Sequence, residues 1–283
     1  MNLSYVISNF EGVSHIVYDF LDDTSKMSLI RATPRENYDF VLEDKHNPEN
    51  YPNIPIKYFT NIKVSTSKML RILPYNTKIL ELGVYNYKLP KLPDGLQTLD
   101  LGEYYNLELP KLPNGLLHLN LGWSYKKLLP DLPDGLQTLI SGSYKLPFPE
   151  KLPSGLLTLK LIYYYRKLPE LPTNLITLSL GWYDGHYIPK LPESLENLYL
   201  GGYYSHPINY LPNSLKKLDL GLHYNYHLPN ILPTSLQILN LGNRYNHPLS
   251  DNLPDGLKKI ILTSEYSHTV PVKNSKLIVN NFY

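Results

Sequence analysis

One phrase recurs along most of this 283-residue chain: LPDGLQTLDLG at 92–102, LPNGLLHLNLG at 112–122, LPTNLITLSLG at 171–181 and LPNSLKKLDLG at 211–221. The prolines that open it are Pro74, Pro93, Pro113, Pro133, Pro153, Pro172, Pro192, Pro212, Pro233 and Pro254, so successive copies stand 19 to 21 residues apart. A period this short and regular predicts a solenoid, in which each turn buries its apolar face only against its neighbours. Function in such a fold belongs to a surface and not to a pocket.

The phrase ends in two leucines at the period-2 spacing of a short strand with one buried face, as at Leu99 and Leu101 or Leu198 and Leu200. Strands of successive turns then pair in parallel, stacking Leu99, Leu119, Leu159, Leu178, Leu198, Leu218 and Leu239 as one internal column. Proline, with φ fixed and no N–H, suits the corner that feeds each strand. Gly83, Gly102, Gly122, Gly142, Gly181, Gly201, Gly221 and Gly242 follow the strands, where a missing side chain admits a positive φ or close contact between coils. Ile162 and Thr263 stand where glycine is expected. Return arms such as Lys88-Leu89-Pro90-Lys91-Leu92-Pro93 are too short and proline-rich for a helix and read as extended. Ser141 replaces a strand leucine, which makes its turn the weakest rung.

The fold expected is mostly β: a right-handed solenoid with a parallel sheet and about ten full copies between capping turns. The first cap carries Phe59, Ile62 and Val64; after the last copy, Leu277 and Val279 fall at the strand offsets from Pro271. Residues 1–50 lack the phrase. There Ile16, Val17, Phe20 and Leu21 share one helical face, Asp22 to Thr24 offer N-caps, and Met27, Leu29 and Ile30 begin a second apolar stripe. A small helical module over 1–50 followed by the solenoid over 51–283 is the expected organisation, joined by turn-rich residues from Lys45 to Pro55.

Composition narrows the chemistry. A formal charge of +2 without a basic tract gives no reason to expect nucleic acid. The opening MNLSYVISNFEGV lacks the charged and apolar regions of a signal peptide, and no later run is apolar enough to span a bilayer, so a cytoplasmic or nuclear protein is expected, with no membrane partner. The absence of cysteine excludes disulfides, cysteine-ligated zinc and thioester chemistry. Asp22 and Asp23, or Glu43 and Asp44, read as caps and solvated loop; Ser141-Gly142-Ser143 reads as a strand end; phosphate-loop and zinc-protease motifs are missing. A non-catalytic protein without cofactor or metal is therefore expected. His186, His206, His227, His247 and His268 recur at intervals of 20 or 21 residues. Stacked about 4.8 Å apart, such imidazoles bind a metal or repel when protonated, but no carboxylate accompanies them, and they read as a solvent-facing ladder beside a tyrosine column.

The outward strand positions form the candidate binding surface. They vary along the array, and the contact residues chosen from them are Asp100, Asn120, Ile140, Lys160, Tyr199, Asp219 and Asn240. Trp123 and Trp182, each just after a strand glycine, are candidate anchors beside that face.

The strand phrases, together with Tyr224-Asn225-Tyr226-His227-Leu228-Pro229 and Tyr245-Asn246-His247-Pro248, resemble FNIP repeats, a variety of leucine-rich repeat abundant in social amoebae and giant DNA viruses. The resemblance spans residues about 56 to 280. Ile16 to Ala32 is similar to the middle of an F-box: an apolar pair, Phe-Leu-Asp-Asp, a short polar step and a Leu-rich helix. That resemblance implies docking of Ile16, Val17, Phe20, Leu21, Leu29 and Ile30 on a Skp-type adaptor of a cullin-RING ubiquitin ligase while the repeats hold a protein substrate. The gain would be effective concentration, with no residue performing chemistry. For a viral protein the expected compartment becomes the host cytoplasm. A free-standing repeat scaffold unrelated to ubiquitin is the alternative. Leu168-Pro169-Glu170-Leu171-Pro172 followed by Leu175, Leu178 and Leu180 is also similar to the repeats of secreted bacterial ubiquitin-ligase effectors, whose catalytic cysteine has no counterpart here.

Overall fold

The computed structural model of the protein describes residues 38–42, 59–64, 73, 75–183, 186–271 and 278–281. They form thirteen strands: β1 (Tyr38–Leu42), β2 (Phe59–Val64), β3 (Ile79–Glu81), β4 (Thr98–Asp100), β5 (His118–Asn120), β6 (Thr138–Ser141), β7 (Thr158–Tyr164), β8 (Thr177–Tyr183), β9 (Asn197–Tyr199), β10 (Lys217–Asp219), β11 (Ile238–Asn240), β12 (Lys259–Thr263) and β13 (Ile278–Asn281). All lie in one parallel sheet in strict chain order. Among the described residues there is no helix, and the return arms are irregular and extended, as their prolines require.

Each coil begins with a tight turn. The carbonyl of the phrase's proline accepts a hydrogen bond from the N–H three residues on, as from Leu96 to Pro93, Leu175 to Pro172 and Leu215 to Pro212, each at 3.1 Å. Proline thus contributes its acceptor where it has no donor to lose. The turn delivers the chain into a strand whose centre is buried and whose flanks face out, the pattern seen in β4, β9, β10 and β11.

Register stacks the leucines as expected. Leu99 pairs with Leu119, Leu159 with Leu178, Leu178 with Leu198, and Leu218 with Leu239. All seven predicted members of the column are at most 1% exposed. Each such side chain contributes about 2 kcal/mol through burial.

A second internal column was legible only as a neighbour of the histidines, not as core. Tyr85, Tyr105, Tyr125, Tyr144, Tyr164, Tyr183, Tyr204, Tyr224 and Tyr245 are all buried. Their rings stack at centroid distances of 6.2 to 6.4 Å where consecutive pairs touch, as in Tyr125 with Tyr144 and Tyr224 with Tyr245. Tyrosine serves this place because its hydroxyl can serve the backbone at the coil's rim. Tyr125 donates to the Leu128 carbonyl at 3.1 Å, while the Phe148 and Ile208 amides donate to Tyr164 and Tyr224 of the next coil. Burial pushes the phenol of Tyr105, Tyr183 and Tyr245 up to about 12, against a smaller lowering by the amides of Leu89, Leu168 and Leu228.

The ends depart from the offsets read in the sequence. β1 lies inside the stretch assigned to the N-terminal module, so the sheet starts before residue 51. Pairing sets Ile278 opposite Ile260 and Val279 opposite Ile261, one residue later than the distance from Pro271 implies. The sequence before this strand carries Val270-Pro271 in place of the Leu-Pro phrase. Ile62 and Val64 of the first cap are buried as expected.

Candidate functional site: an interrupted ladder and its aromatic ridge

The seven strand-face candidates come together. Pairing sets Asp100 beside Asn120, Asn120 beside Ile140, Ile140 beside Lys160, Tyr199 beside Asp219 and Asp219 beside Asn240, with Ser179 linking Lys160 to Tyr199. Lys160 and Trp123 are exposed, and the other candidates on this side are half-buried.

Four of them have a structural duty. Asp100 accepts from the Gly102 amide at 2.7 Å and from the Asn120 side chain at 3.0 Å, and Asn120 accepts from the Gly122 amide. Asp219 and Asn240 repeat the device with Gly221 and Gly242. Each carboxylate or amide thus holds the corner glycine two residues on, and those four glycines all have a positive φ. Glycine is required twice over: a Cβ on Gly221 would stand 1.5 Å from the Gly201 carbonyl oxygen.

A second polar ladder runs just beyond the corner. Asn86 accepts from the Asn106 amide, Asn106 from the Lys126 amide, Asn225 from the Asn246 amide, and Asn246 from the Ser267 amide.

Both devices fail in the middle of the array. At the first, Ile140, Lys160, Ser179 and Tyr199 replace the Asp/Asn corner; at the second, Lys126, Lys145, Tyr165, Asp184 and Ser205 stand where the asparagines would be. Ile162 cannot take the positive φ of the glycine it replaces, so β7 runs on through Tyr164, and β8 follows it through Tyr183. Gly142 and Gly181 lack a positive φ and serve by close approach alone, since a Cβ on either would stand 2.4 Å from a carbonyl oxygen of the preceding coil.

Along this interrupted stretch runs a ridge of aromatic rings. Trp123 meets Tyr163 edge to face at 5.4 Å, reaching past the coil where Ser143 leaves room. Tyr163 stacks on Trp182 at 5.4 Å with planes 4° apart, Trp182 meets Tyr203 at 4.6 Å, and Tyr203 stacks on His223 at 4.7 Å. Trp123 is 48% exposed and Tyr203 40%; Tyr163, Trp182 and His223 are half-buried. Exposed Ile162 and Tyr165 flank the ridge, and Lys217 sets its ammonium 4.7 Å over the ring of Tyr199 on the neighbouring strand face. Sequence reading found the two tryptophans but not Tyr163, Tyr203 or His223. Tyr163 occupies the same position after the strand; Tyr203 and His223 come one residue later and lose the alignment.

The histidines do not form one column. His227 and His247 touch at 4.1 Å and His206 packs on Tyr187 at 4.3 Å, while His247 and His268 each bond a backbone carbonyl of the preceding coil. Among the described residues no group of three or more His, Asp or Glu side chains is arranged to hold a metal ion. The six residues named for adaptor docking lie outside the described residues. No helix among those described is long and apolar enough to cross a membrane.

Comparison with known proteins agrees with the repeat. Residues 188–223 and 224–264 match the family model described as FNIP Repeat. The chain is similar to the crystal structure of CroV588, described as a novel circular LRR protein, at 24% identity and TM-score 0.63, over 77% of this chain and 35% of that one. It is also similar to YopM from Yersinia enterocolitica WA-314, at 24% identity and TM-score 0.49, over 75% of this chain and 56% of that one. The likeness is one of fold, and the chain spans about a third and just over half of the lengths of these two proteins. No curated protein matches the sequence. Solenoids of this kind present extended surfaces of the sort repeat proteins use for binding.

Proposed function

From a chain built of FNIP-type, leucine-rich-repeat-like repeats, we propose a protein-interaction receptor whose contact surface is the interrupted stretch from β6 to β9 with the aromatic ridge that runs along it. One observation carries this reading: where both polar ladders that hold the coils are given up, semi-exposed aromatic rings take their place. A repeat under selection for stability alone gains nothing by replacing satisfied corner amides with exposed rings. Half-buried Trp and Tyr set on a rigid sheet are the usual anchors of a protein interface. Lys160 and Tyr199 belong to this surface, whereas Asp100, Asn120, Asp219 and Asn240 serve the fold. The protein acts by holding a partner and not as an enzyme.

The finer reading is a substrate-recognition subunit of a cullin-RING ubiquitin ligase acting in the cytoplasm. Its support is the F-box resemblance of Ile16 to Ala32, and its docking residues are Ile16, Val17, Phe20, Leu21, Leu29 and Ile30. The alternative is a free-standing scaffold. Purified wild type and a Phe20→Ala/Leu21→Ala variant, tested for binding to a Skp-type adaptor, separate the two: adaptor binding lost in the variant supports the ligase subunit, and no binding by wild type leaves the scaffold. A Tyr163→Ala/Trp182→Ala variant tests the receptor reading common to both, since it should lose cellular partners while its melting temperature stays near that of wild type.

A further inference from the structure

Beyond the aromatic ridge, the coils carrying β5, β6 and β7 turn through a corner that bears Lys126, Lys127, Lys145, Arg166 and Lys167. All are exposed except half-buried Lys127, and none forms an ion pair among the described residues. Consecutive coils lie about 4.8 Å apart, so five positive charges share roughly 10 Å of the solenoid. Glu103 and Glu108 are carried by the coil before, and Lys167 lines a groove with Glu150, Glu170 and Glu193, so the charge left without a carboxylate beside it centres on Lys126, Lys145 and Arg166. Such crowding is self-repelling and works against the fold unless an anion covers it. Lys126 and Lys145 also stand where the asparagine ladder would otherwise continue, so the charges occupy the same interruption as the ridge. The Arg166 Nε donates to the Lys145 carbonyl at 2.6 Å. That bond anchors the guanidinium and leaves its remaining donors for a carboxylate.

The ridge adds to the same preference. Tyr163, Trp182, Tyr203 and His223 cover one another's faces, so what they show to solvent is mainly ring edge, the positive end of the aromatic quadrupole. The covered faces of these four rings give nucleic-acid bases no platform for stacking, which leaves Trp123 as the one ridge ring whose faces no neighbour covers among the described residues. Only one of the five cations is arginine, the planar fork best suited to phosphate, and the whole chain carries a formal charge of only +2.

We propose that the ridge and this basic corner together seat an extended acidic segment of a partner protein. An apolar side chain of that segment rests against Trp123, Tyr163 and Trp182, and its carboxylates meet Lys145 and Arg166. From β5 to β8 is three strand spacings, about 14 Å, which an extended chain covers in four or five residues at roughly 3.3 Å each. The partner element is therefore a short linear segment. This inference rests on the reading of the ridge as an interaction surface and adds the chemistry of what it takes.

The test pans a displayed library of random peptides, each about ten residues, against the full-length protein, with single-stranded poly(U) titrated separately. Recovered peptides rich in Asp and Glu around an aromatic or aliphatic residue are the expected result. Synthetic copies should bind at least tenfold more weakly to Lys145→Glu/Arg166→Glu and to Trp182→Ala. Circular dichroism melting of both variants near the wild-type temperature shows that the surface, not the fold, was changed. Recovered peptides with no acidic bias, yet still dependent on Trp182, overturn the acidic preference while leaving the receptor reading intact. Tighter binding of poly(U) than of any peptide overturns the proposal in favour of nucleic acid, and recovery of no peptide sensitive to these variants overturns it outright.

Discussion

Asn240 donates its side-chain amide to the Asp219 carboxylate at 2.9 Å across one strand spacing, while each also accepts the amide of the glycine two residues ahead. The pair therefore links neighbouring coils and holds two left-handed corners at once. Asp219→Ala removes two acceptor interactions and leaves the Gly221 amide without its cap, at a cost of about 2 kcal/mol. Urea unfolding should show it, with peptide binding at the ridge unchanged at concentrations where the variant is folded.

Gly221 and Gly95 make an internal comparison. Gly221 combines a φ of +71° with the close approach of Gly201, whereas a Cβ on Gly95 meets nothing within 4 Å. Gly221→Ala should cost more than about 3 kcal/mol, because the two coils must separate. Gly95→Ala should be neutral or stabilise by up to about 1 kcal/mol through the unfolded chain.

Ser141 is fully buried, and its hydroxyl has no hydrogen-bond partner among the described residues. It stands in register with Leu161 in a column filled by leucine in all the other coils from Leu82 to Leu262. Ser141→Ala should stabilise by about 1 kcal/mol, since a desolvated hydroxyl is removed and nothing is lost. In the wild type, amide exchange at Ile140 and Ser141 should be faster than at Leu119 and Leu159. Equal protection across the three rungs would show that the serine carries no penalty.

The buried tyrosines set an alkaline limit. Tyr105, Tyr183 and Tyr245 ionise near 12 in the fold against 10.0 when free, because burial disfavours the phenolate. Below pH 10 both states hold their protons and the column contributes fully. As pH rises from about 10 towards 12, the unfolded chain releases protons that the folded chain keeps, so stability falls. Phenolate absorbance from the column should rise cooperatively with unfolding, in step with the loss of the β signal in circular dichroism.

The leucine columns, the parallel pairing and the helix-free return arms were legible because each rests on a local rule that the repeat states many times. Leu99 needs only alternation to be placed inside. The tyrosine column was not, although Tyr105 and Tyr125 recur as regularly: they lie beyond the corner, where alternation stops telling inside from outside. Asp219 and Asn240 looked like variable contact residues because polar side chains facing out suggest a ligand. Only the structure reveals that the ligand is their own backbone. The ridge was half legible, since Trp123 and Trp182 share a position while Gly202 displaces Tyr203 by one residue.

The central claim, that the interrupted stretch and not the regular coils meets a partner, is tested most directly by photo-crosslinking in cells. A benzophenone side chain replaces Tyr163, inside the interruption, or Tyr226, an exposed tyrosine on a coil where the asparagine ladder is intact. The account predicts a discrete crosslinked species from position 163, abolished by Trp182→Ala, and none from position 226. Equal crosslinking from both positions, or a discrete species from 226 alone, would contradict it.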